Sequence, residues 1–395
     1  MPETRTAVVA GHLCLDIIPS LAEHSQDRFE AMFVPGHLIH IGPATFATGG
    51  PVANTGLALH RLGIHTQLMG KVGDDLFGQA VRQIIASHAP HLAEGMVVDR
   101  RAHTSYTIII NPPDVDRIFL HYPGANDTFS ADDIRYDLLD GASLFHFGYP
   151  PLMRLMFEGG GAQLVEVYRR AKQTGITTSL DMAVPDPAAP SGRADWVTIL
   201  RATLPFVDIF LPSIEEILYM LRRSTFDQLA RAGGGARFLA GVSAELLSDV
   251  SQQLLDMGAR IIGLKLGERG FYVRTAGSSA LERLGRARPA DPAAWADHEM
   301  WAPCFKVKLV GAAGSGDSTI AGFLSALLRG LGPAEAVTAA VAVGACNVEA
   351  ADTLSGVRPW AETMERVAAG WARHDLRLSA ARWHFDPDFQ LWRKE

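Results

Sequence analysis

Val310-Gly-Ala-Ala-Gly-Ser-Gly-Asp-Ser-Thr319 places three glycines and two alanines directly before an aspartate, and the apolar residues 320–328 that follow predict a buried helix. Glycine-rich backbone ahead of a helix lets amide N–H groups converge on an anion, and the helix dipole adds partial positive charge there. A carboxylate at the same point would repel phosphate unless its task is to accept a proton from a nucleophile. The stretch therefore predicts an anion hole with Asp317 as a base.

Two other interpretations of this stretch stay open. Gly311 to Gly316 superficially matches a dinucleotide-binding fingerprint after a strand predicted at residues 307–310, but no convincing acid follows roughly 20 residues on, where that motif needs one. The other interpretation treats Asp317 as a plain helix cap, with the glycines serving packing.

Length and composition narrow the class of protein. A chain of 395 residues fits one large α/β domain or two smaller ones, and we expect a single domain over 1–395. The formal charge of -7 makes nucleic acid an unexpected partner. No apolar run reaches membrane-spanning length, so no membrane association is expected. Cys14, Cys304 and Cys346 form no C-x-x-C motif, which predicts reduced thiols and a cytoplasmic setting.

Strand and helix patterns alternate along the chain. Short apolar runs that end at breakers predict buried strands at 6–10, 143–147, 177–180, 207–211 and 260–266. Helical patterns lie between them at 54–62, 161–173, 214–222 and 243–257. This alternation predicts an α/β fold with three layers, in which a doubly wound, mostly parallel sheet is flanked by helices.

Some segments depart from that alternation. Residues 37–41 and 105–111, the latter turning at 112–116 into 117–122, predict strands of a small antiparallel sheet, here called the lid. We expect the lid to involve approximately residues 12–46 and 103–123. Residues 376–395 form a C-terminal extension whose aromatic content predicts that it packs back on the domain.

A second glycine-rich stretch, Gly49-Gly-Pro-Val-Ala-Asn-Thr-Gly56, joins a presumed lid strand to a helix. Paired glycines allow a ligand to approach backbone amides, and Asn54 offers the donor and acceptor that suit vicinal hydroxyls. An ordinary glycine turn with Asn54 near a helix start is an equal alternative. Further on, Asp74 or Asp75 is better explained as the cap of a helix.

The ordered set of motifs resembles the ribokinase-like (PfkB) family of carbohydrate kinases over nearly the whole chain. Gly11-His-Leu-Cys-Leu-Asp16 resembles the end of the family's first strand, and Gly49-Gly-Pro-Val-Ala-Asn54 with Gly73-Asp-Asp75 resembles its N-terminal signature. Gly267-Glu-Arg-Gly270 resembles its nucleotide-side loop, and Gly314-Ser-Gly-Asp317 its C-terminal signature. The resemblance implies a ribokinase-like fold with a small β lid over a sugar site.

The resemblance also implies roles for individual residues. Asp317 would be the general base for the attacking sugar hydroxyl. The anion hole would be formed by the amides of Ala313, Gly314, Ser315 and Gly316. Sugar hydroxyls would be bound by Asp16, Gly49, Gly50 and Asn54. The nucleotide side would include Gly267, Gly270, Lys265 and Asn347, and Glu216 would be associated with magnesium and its waters.

The chain departs from the family pattern at several positions. Gly311 and Ala312 stand where the family usually has Asp-Thr, which removes polar groups near the phosphates and leaves a potassium requirement open. Ser213 stands where an asparagine usually begins an Asn-x-x-Glu run. Cys14 replaces a sugar-contacting asparagine of ribokinases, which argues against ribose as the substrate.

The predicted function is an ATP-dependent phosphotransferase that phosphorylates a hydroxyl of a sugar or sugar-like molecule with Mg²⁺. The alternatives are a nucleoside kinase of the same fold and a non-catalytic sensor of sugar or nucleotide. Asp317 argues against the sensor, because a binding protein needs no base beside an anion hole. Open lid edges make a homodimer a reasonable expectation.

Overall fold

Apolar strands and amphipathic helices alternate in the computed structural model, which describes residues 5–21, 35–111 and 118–395. The strands are β1 Thr6–Gly11, β2 Cys14–Pro19, β3 Ala44–Gly49, β4 His65–Met69, β5 Lys71–Gly73, β6 Val97–Asp99, β7 Tyr106–Ile110, β8 Ile118–Tyr122, β9 Leu144–Gly148, β10 Thr177–Leu180, β11 Ile209–Phe210, β12 Ile261–Lys265, β13 Phe271–Thr275, β14 Glu299–Ala302, β15 Trp383–Asp386 and β16 Leu391–Lys394.

The helices of the described chain include all those predicted at 54–62, 161–173, 214–222 and 243–257, with ends shifted by at most three residues, together with further helices. They are α1 Pro51–Arg61, α2 Leu76–His88, α3 Arg154–Phe157, α4 Ala162–Gln173, α5 Trp196–Thr203, α6 Ile214–Leu221, α7 Arg223–Ala232, α8 Ala236–Ala240, α9 Ala244–Asp256, α10 Ser278–Leu281, α11 Ser315–Leu328, α12 Pro333–Asn347 and α13 Trp360–Ala368. None of these helices is long and apolar enough to cross a membrane.

A ten-stranded sheet forms the centre, in the order β15-β16-β14-β13-β12-β11-β10-β9-β1-β4. Six neighbouring strands run parallel to one another: β12, β11, β10, β9, β1 and β4. The other four strands, β13, β14, β16 and β15, are each antiparallel to their neighbours. The predicted α/β class with a mostly parallel sheet is therefore confirmed. The carboxyl ends of β12, β11, β10, β9 and β1 lie side by side, and ligands of open α/β sheets bind along such an edge.

Helices cover both faces of this sheet. Alternate residues of β1 show the arrangement, because Ala7 and Val9 belong to one buried apolar cluster, whereas Val8 and Ala10 belong to another. The first cluster includes apolar residues of α1, α11 and α12, and the second includes those of α4, α5, α6 and α9. The sheet is thus sandwiched in three layers.

The lid is a four-stranded sheet in the order β3-β2-β7-β8. It is mixed and not wholly antiparallel as predicted, because β2 and β7 pair in parallel across a long crossover. The strand predicted at 37–41 is also wrong: Leu38 and Ile41 are exposed there, and β3 pairs with β2 instead, from Cys14 opposite Gly49 to Pro19 opposite Ala44. The turn predicted at 112–116 lies outside the described residues.

The strand predicted at 307–310 is not formed. Leu309 and Val310 are exposed, and the N–H groups of Val310 and Gly311 donate to the carbonyl of Val348 after α12, at 2.8 and 3.2 Å. The segment is therefore held against the end of a helix and not in a sheet. A dinucleotide fingerprint at Gly311, which requires a preceding strand, loses its structural basis here.

The C-terminal extension packs back on the domain, as its aromatic residues predict. β15 and β16 form a hairpin, and β16 pairs with β14 at the edge of the central sheet, Trp392 lying opposite Trp301. The indole N–H of Trp392 donates to the carbonyl of Leu376 at 2.9 Å, which ties the hairpin to the segment before it.

Candidate active site

The two glycine-rich stretches of the sequence meet at one carboxylate. Asp317 lies in the first turn of α11 and is 2% exposed. The side-chain amide of Asn54 on α1 donates to Asp317 Oδ2 at 3.1 Å, and the hydroxyl of neighbouring Thr55 donates to Oδ1 at 3.0 Å. Stretches about 260 residues apart in the chain therefore build one site, since α1 packs against α11.

Tyr149 is a third donor, which the sequence analysis missed. It follows β9 directly and adopts a left-handed backbone conformation (φ 61°), rare for a residue with a Cβ. Its hydroxyl donates to Asp317 Oδ2 at 2.9 Å. An ionised carboxylate offers roughly four acceptor positions, so three protein donors fix its orientation and leave room for one more.

Burial and hydrogen bonding act on Asp317 in opposite directions. Burial raises the pKa of the Asp317 carboxyl above its usual range, while the Lys265 ammonium and the three donors favour the ionised form. A raised pKa makes a carboxylate a stronger proton acceptor. The environment is thus suited to a base that is held ionised by specific partners.

The backbone before Asp317 is shaped for close approach. Gly314 has φ 71°, and a Cβ placed on it would lie 2.8 Å from the Cβ of Thr353, so the turn requires glycine. The N–H groups of Gly316 and Asp317 belong to the first turn of α11 and have no carbonyl partner within the helix. Ala313, Gly314, Ser315 and Gly316 are half-buried, whereas Asp317 is buried behind them. Such a helix start suits an anion.

Lys265 lies beside this helix start. Its ammonium forms an ion pair with Asp181, Nζ to Oδ1 2.5 Å, and lies 3.7 Å from the position that a Cβ on Gly316 would take. Burial lowers the pKa of Lys265, but the Asp181 and Glu216 carboxylates outweigh burial and raise it. The lysine therefore stays charged next to the candidate anion hole.

Asp181 follows β10 and is a second residue that the sequence analysis missed. It is fully buried, and its Oδ2 has no hydrogen-bond partner among the described residues. Burial raises the pKa of its carboxyl well above the usual range, and Lys265 opposes that shift. An unpartnered buried carboxylate oxygen requires an explanation such as a bound ion.

Glu216 completes the acidic group. It is buried at the start of α6, where its Oε2 accepts the N–H of Ser213 at 2.7 Å while the Ser213 hydroxyl accepts the N–H of Glu216 at 3.2 Å. This capping box explains how serine can replace the usual asparagine and still fix the glutamate. Burial raises the pKa of Glu216, again opposed by Lys265.

These buried charges do not balance. Three carboxylates, Asp181, Glu216 and Asp317, surround one ammonium, Lys265, so a fully ionised cluster carries two negative charges in excess. The excess charge and the orphaned Asp181 oxygen fit a divalent cation. Within the described ranges no group of three or more ligating side chains could hold a metal by itself. Mg²⁺ is commonly bound by one or two carboxylates together with substrate phosphates, so Asp181 and Glu216 are the residues that could hold it.

The predicted sugar-binding residues lie on the other side of Asp317. A Cβ on Gly49 would lie 2.5 Å from Asp16 Oδ2, and Gly50 has φ 89° with its Cβ position 2.5 Å from the carbonyl oxygen of His12. Cys14 Sγ donates to Asp16 Oδ1 at 3.3 Å. Burial raises the pKa of Asp16 to about 6. Gly49 therefore lies against Asp16, and the carbonyl of Gly50 accepts the backbone N–H of Asn54 at 2.8 Å, whereas the binding of sugar hydroxyls by these residues stays a prediction.

The predicted nucleotide-side residues are less tightly grouped. Gly267 (φ 51°) and Gly270 (φ 97°) form the turn between β12 and β13, adjacent to Lys265. Asn347, in contrast, is buried at the end of α12, where its side-chain N–H donates to the carbonyl of Thr353 at 2.8 Å. Asn347 thus holds the loop that packs against Gly314, and a contact with adenine stays a prediction.

The helix cap predicted near Asp74 is confirmed at Asp75. Its Oδ1 accepts the N–H of Gly78 in the first turn of α2 at 2.8 Å, and Thr104 donates its N–H to Oδ2 at 2.8 Å.

At Gly311, a Cβ would lie 2.8 Å from the carbonyl oxygen of Ala350, so this backbone would not admit the usual aspartate without a shift.

Comparison with known proteins agrees with this architecture. The family model described as "pfkB family carbohydrate kinase" matches residues 6–360, so the chain belongs to the pfkB family of carbohydrate kinases. It is 24% identical to fructokinase-1 of Zea mays over 83% of this chain and 85% of that protein. It is 28% identical to fructokinase-2 of Oryza sativa subsp. japonica over 57% of this chain, and the match spans 63% of the rice protein.

Solved structures of the same fold are similar over most of the chain. The fructokinase from Xylella fastidiosa with bound ATP aligns with a TM-score of 0.67 at 19% identity, covering 93% of this chain and 99% of that one. The Arabidopsis thaliana ribokinase complexed with ribose and ATP aligns with a TM-score of 0.65 at 16% identity, covering 92% and 98%. The ribokinase-like fold is therefore confirmed.

Proposed function

We propose that this protein is an ATP-dependent kinase that phosphorylates a hydroxyl of a sugar, with Asp317 as general base. The observation that carries the proposal is the position of the Asp317 carboxylate. It is oriented by Asn54, Thr55 and Tyr149 on the acceptor side and lies directly behind the helix start and Lys265 on the other.

The geometry assigns a task to each group. The sugar hydroxyl would take the remaining acceptor position of Asp317 and give up its proton there as the oxygen attacks the terminal phosphorus of ATP. The bond from that phosphorus to the bridging oxygen of ADP breaks in line. The amides of Ala313, Gly314, Ser315 and Gly316 and the ammonium of Lys265 would stabilise the charge on the transferred group.

ATP and Mg²⁺ are the cofactors in this proposal. Glu216 and Asp181 would hold the magnesium ion, which neutralises phosphate charge when bound. The turn at Gly267 and Gly270 would border the nucleotide. A requirement for K⁺ is not part of the proposal, because Gly311 lacks the carboxylate of the usual family residue.

Fructose is the first acceptor to test, because the curated relatives from maize and rice are fructokinases. The amide of Asn54 and the carboxylates of Asp16 and Asp317 suit the hydroxyls of a compact polyol. A nucleoside would instead place a base against the lid, whose exposed aromatic residues include Phe46 and Tyr122.

The proposal is tested by a turnover screen with magnesium and ATP over ketoses, aldoses and nucleosides, with Asp317→Asn beside the wild type. Turnover of one sugar class that collapses in the variant supports the proposal. If nucleosides alone turn over, the acceptor class is wrong. If nothing turns over but a sugar raises the melting temperature of both proteins alike, the protein is a sensor and not a kinase.

The proposal extends to assembly and location. All five residues of β8 at the lid edge are exposed, among them Ile118, Leu120 and Tyr122, and a second copy packed on the lid would cover them. Leu120→Asp should then lower the mass measured by analytical ultracentrifugation from dimer to monomer.

A cytoplasmic location is part of the proposal because all three cysteines are free thiols.

A further inference from the structure

His12 is the buried polar side chain of the acceptor side that the proposed mechanism does not use. It follows β1 directly and is 3% exposed, yet neither ring nitrogen has a hydrogen-bond partner among the described residues. A buried polar atom without a partner costs about 1–3 kcal/mol, and in a native protein it commonly indicates a missing ligand or water.

The imidazole ring lies within the acceptor side of the site. Its Nδ1 is 2.6 Å from the position that a Cβ on Gly50 would take. Its ring centroid is 6.3 Å from that of Tyr149, whose hydroxyl holds Asp317, and 5.3 Å from that of His121 on β8. His12 thus stands between the glycine turn, the lid and the residue that orients the base.

The charge state of His12 defines what it can bind. Burial, followed by neighbouring His121, lowers the pKa of His12 to about 3, so the ring is neutral at neutral pH. A neutral imidazole carries one N–H donor and one acceptor nitrogen. The complementary partner is a group that both donates and accepts, and a hydroxyl does so, whereas a carboxylate or phosphate could use only the donor.

We propose that His12 binds hydroxyl groups of the acceptor directly and selects a polyhydroxy compound by a hydroxyl other than the one phosphorylated. The inference rests on the proposed kinase function and adds a specificity residue to it. Asp16 supports the same choice, because its carboxylate, on the lid beside Gly49, would repel an anionic group placed there.

The inference is tested by comparing wild type and His12→Phe on D-fructose and its singly deoxygenated derivatives, or on whichever sugar of the panel turns over fastest. For one deoxy position the wild type should lose at least about tenfold in kcat/KM, because the site's nitrogens are left unpaired. In His12→Phe that particular loss should shrink to within about threefold, while the other deoxy positions and the KM for ATP keep their wild-type pattern. Unchanged discrimination at every position would overturn the inference.

Two further variants keep the test decisive. His91→Phe is the matched control, since His91 also has a buried unpartnered nitrogen but packs against His65 away from the site, and its deoxy pattern should equal that of the wild type. His12→Asn, which keeps a donor and an acceptor, should restore part of the discrimination and replaces His12→Phe if that variant does not fold. A wild type that phosphorylates no sugar refutes the kinase proposal, whereas turnover with unchanged discrimination in both His12 variants refutes the role of His12 alone.

Discussion

Two chemically different halves of the site lie at the carboxyl ends of the central strands, a charged half around Lys265 and a neutral half around His12 and Tyr149. At the ends of β10 and β12, Asp181 and Lys265 form a buried ion pair beside Glu216, and the carboxylates there outnumber the one ammonium. At the ends of β1 and β9, His12 and Tyr149 are neutral, and the ring nitrogens of His12 are left without a partner. Asp317 lies between them and is hydrogen-bonded from the neutral half only.

The two halves of the site suit different ligands. A cluster with excess negative charge attracts a metal ion and lets one lysine stabilise a phosphoryl group, and it tolerates no change in its charge count. The neutral half leaves the ring nitrogens of His12 without a partner when it is empty, and it offers donors and acceptors to hydroxyls. Substitutions in the charged half should therefore damage stability and turnover together, whereas those in the neutral half should act mainly on acceptor affinity.

Asp317→Asn should have the largest effect on turnover. The amide keeps the shape of the side chain but cannot accept the hydroxyl proton, so kcat should fall by about 10² to 10⁴. Initial rates at saturating sugar and ATP check this. Asp75→Asn is the matched control, because Asp75 caps α2. Asparagine caps a helix about as well as aspartate, but its side chain has one acceptor oxygen fewer for Thr104, so the variant should lose about 1 kcal/mol of stability with kcat nearly unchanged. Equal losses of kcat in the two variants would contradict a catalytic role.

Lys265→Met should give the largest loss of stability. Removing the ammonium leaves Asp181, Glu216 and Asp317 without a counter-charge, and breaking a buried ion pair costs about 3–5 kcal/mol. Lys265 lowers the pKa of each of these carboxyls, so each pKa rises further in the variant. Chemical denaturation at several pH values measures the loss.

The pH dependence of that loss has a definite sign. Carboxyls whose pKa is higher in the folded than in the unfolded state bind more protons when folded, so stability rises as the pH falls. The deficit of Lys265→Met should therefore shrink between neutral pH and about pH 4, where unfolded carboxyls titrate. Asp181→Asn in the same background should recover part of the loss. Strictly additive losses would show that the two side chains do not interact.

Gly50→Ala and Gly49→Ala should have different effects, since the first strains the backbone and the second disturbs the acceptor-binding side chain of Asp16. Gly50 has φ 89° and ψ 165°, a region essentially restricted to glycine, so alanine should cost about 1–3 kcal/mol. At Gly49 the three atoms nearest to the new Cβ all belong to the Asp16 side chain, which can move. Gly49→Ala should thus raise the acceptor KM with a smaller loss of stability, as measured by kinetics and thermal unfolding. The reverse ranking in stability would contradict this account.

The sequence could predict the fold and the anchors of the site, for particular reasons. Asp317 and Asn54 each lie in a glycine-rich turn at a helix start, which is a local signal, and the central parallel strands are short apolar runs that end at breakers. His12, Tyr149 and Asp181 carry no local motif. Each directly follows a central parallel strand, at β1, β9 and β10, and the rule that ligands bind at the carboxyl ends of such strands could have identified them.

Other features could not be read locally at all. The stretch His37-Leu-Ile-His-Ile41 predicts a lid strand, but β3 forms at Ala44–Gly49, where pairing with β2 continues into Gly49. The partnership of Lys265 with Asp181 depends on two strands separated by β11, so only the tertiary fold reveals it.

Tyr149→Phe should lower kcat by an intermediate amount. The hydroxyl stabilises ionised Asp317, and a bond to a charged group is worth about 1.5–3 kcal/mol, so kcat should fall about tenfold or somewhat more. Because this bond lowers the pKa of Asp317, its loss raises that pKa, and the acidic limb of the kcat profile should move to higher pH. A lower kcat with an unshifted limb would mean that Tyr149 acts only through packing.

The smallest expected effect is the pH dependence of acceptor binding. Burial raises the pKa of Asp16 to about 6, so protonation removes its carboxylate as the pH falls through about 6 and not near 4, the range of a free aspartate. Since only the carboxylate can accept hydrogen bonds from sugar hydroxyls at both oxygens, the KM for the sugar should rise severalfold between pH 7 and pH 5 while the KM for ATP stays nearly level. Asp16→Asn should show a higher KM that no longer varies over this range. A wild-type KM that is flat from pH 7 to pH 5 would place Asp16 outside the acceptor contacts and leave His12 and Asn54 as the groups of the neutral half that recognise the sugar.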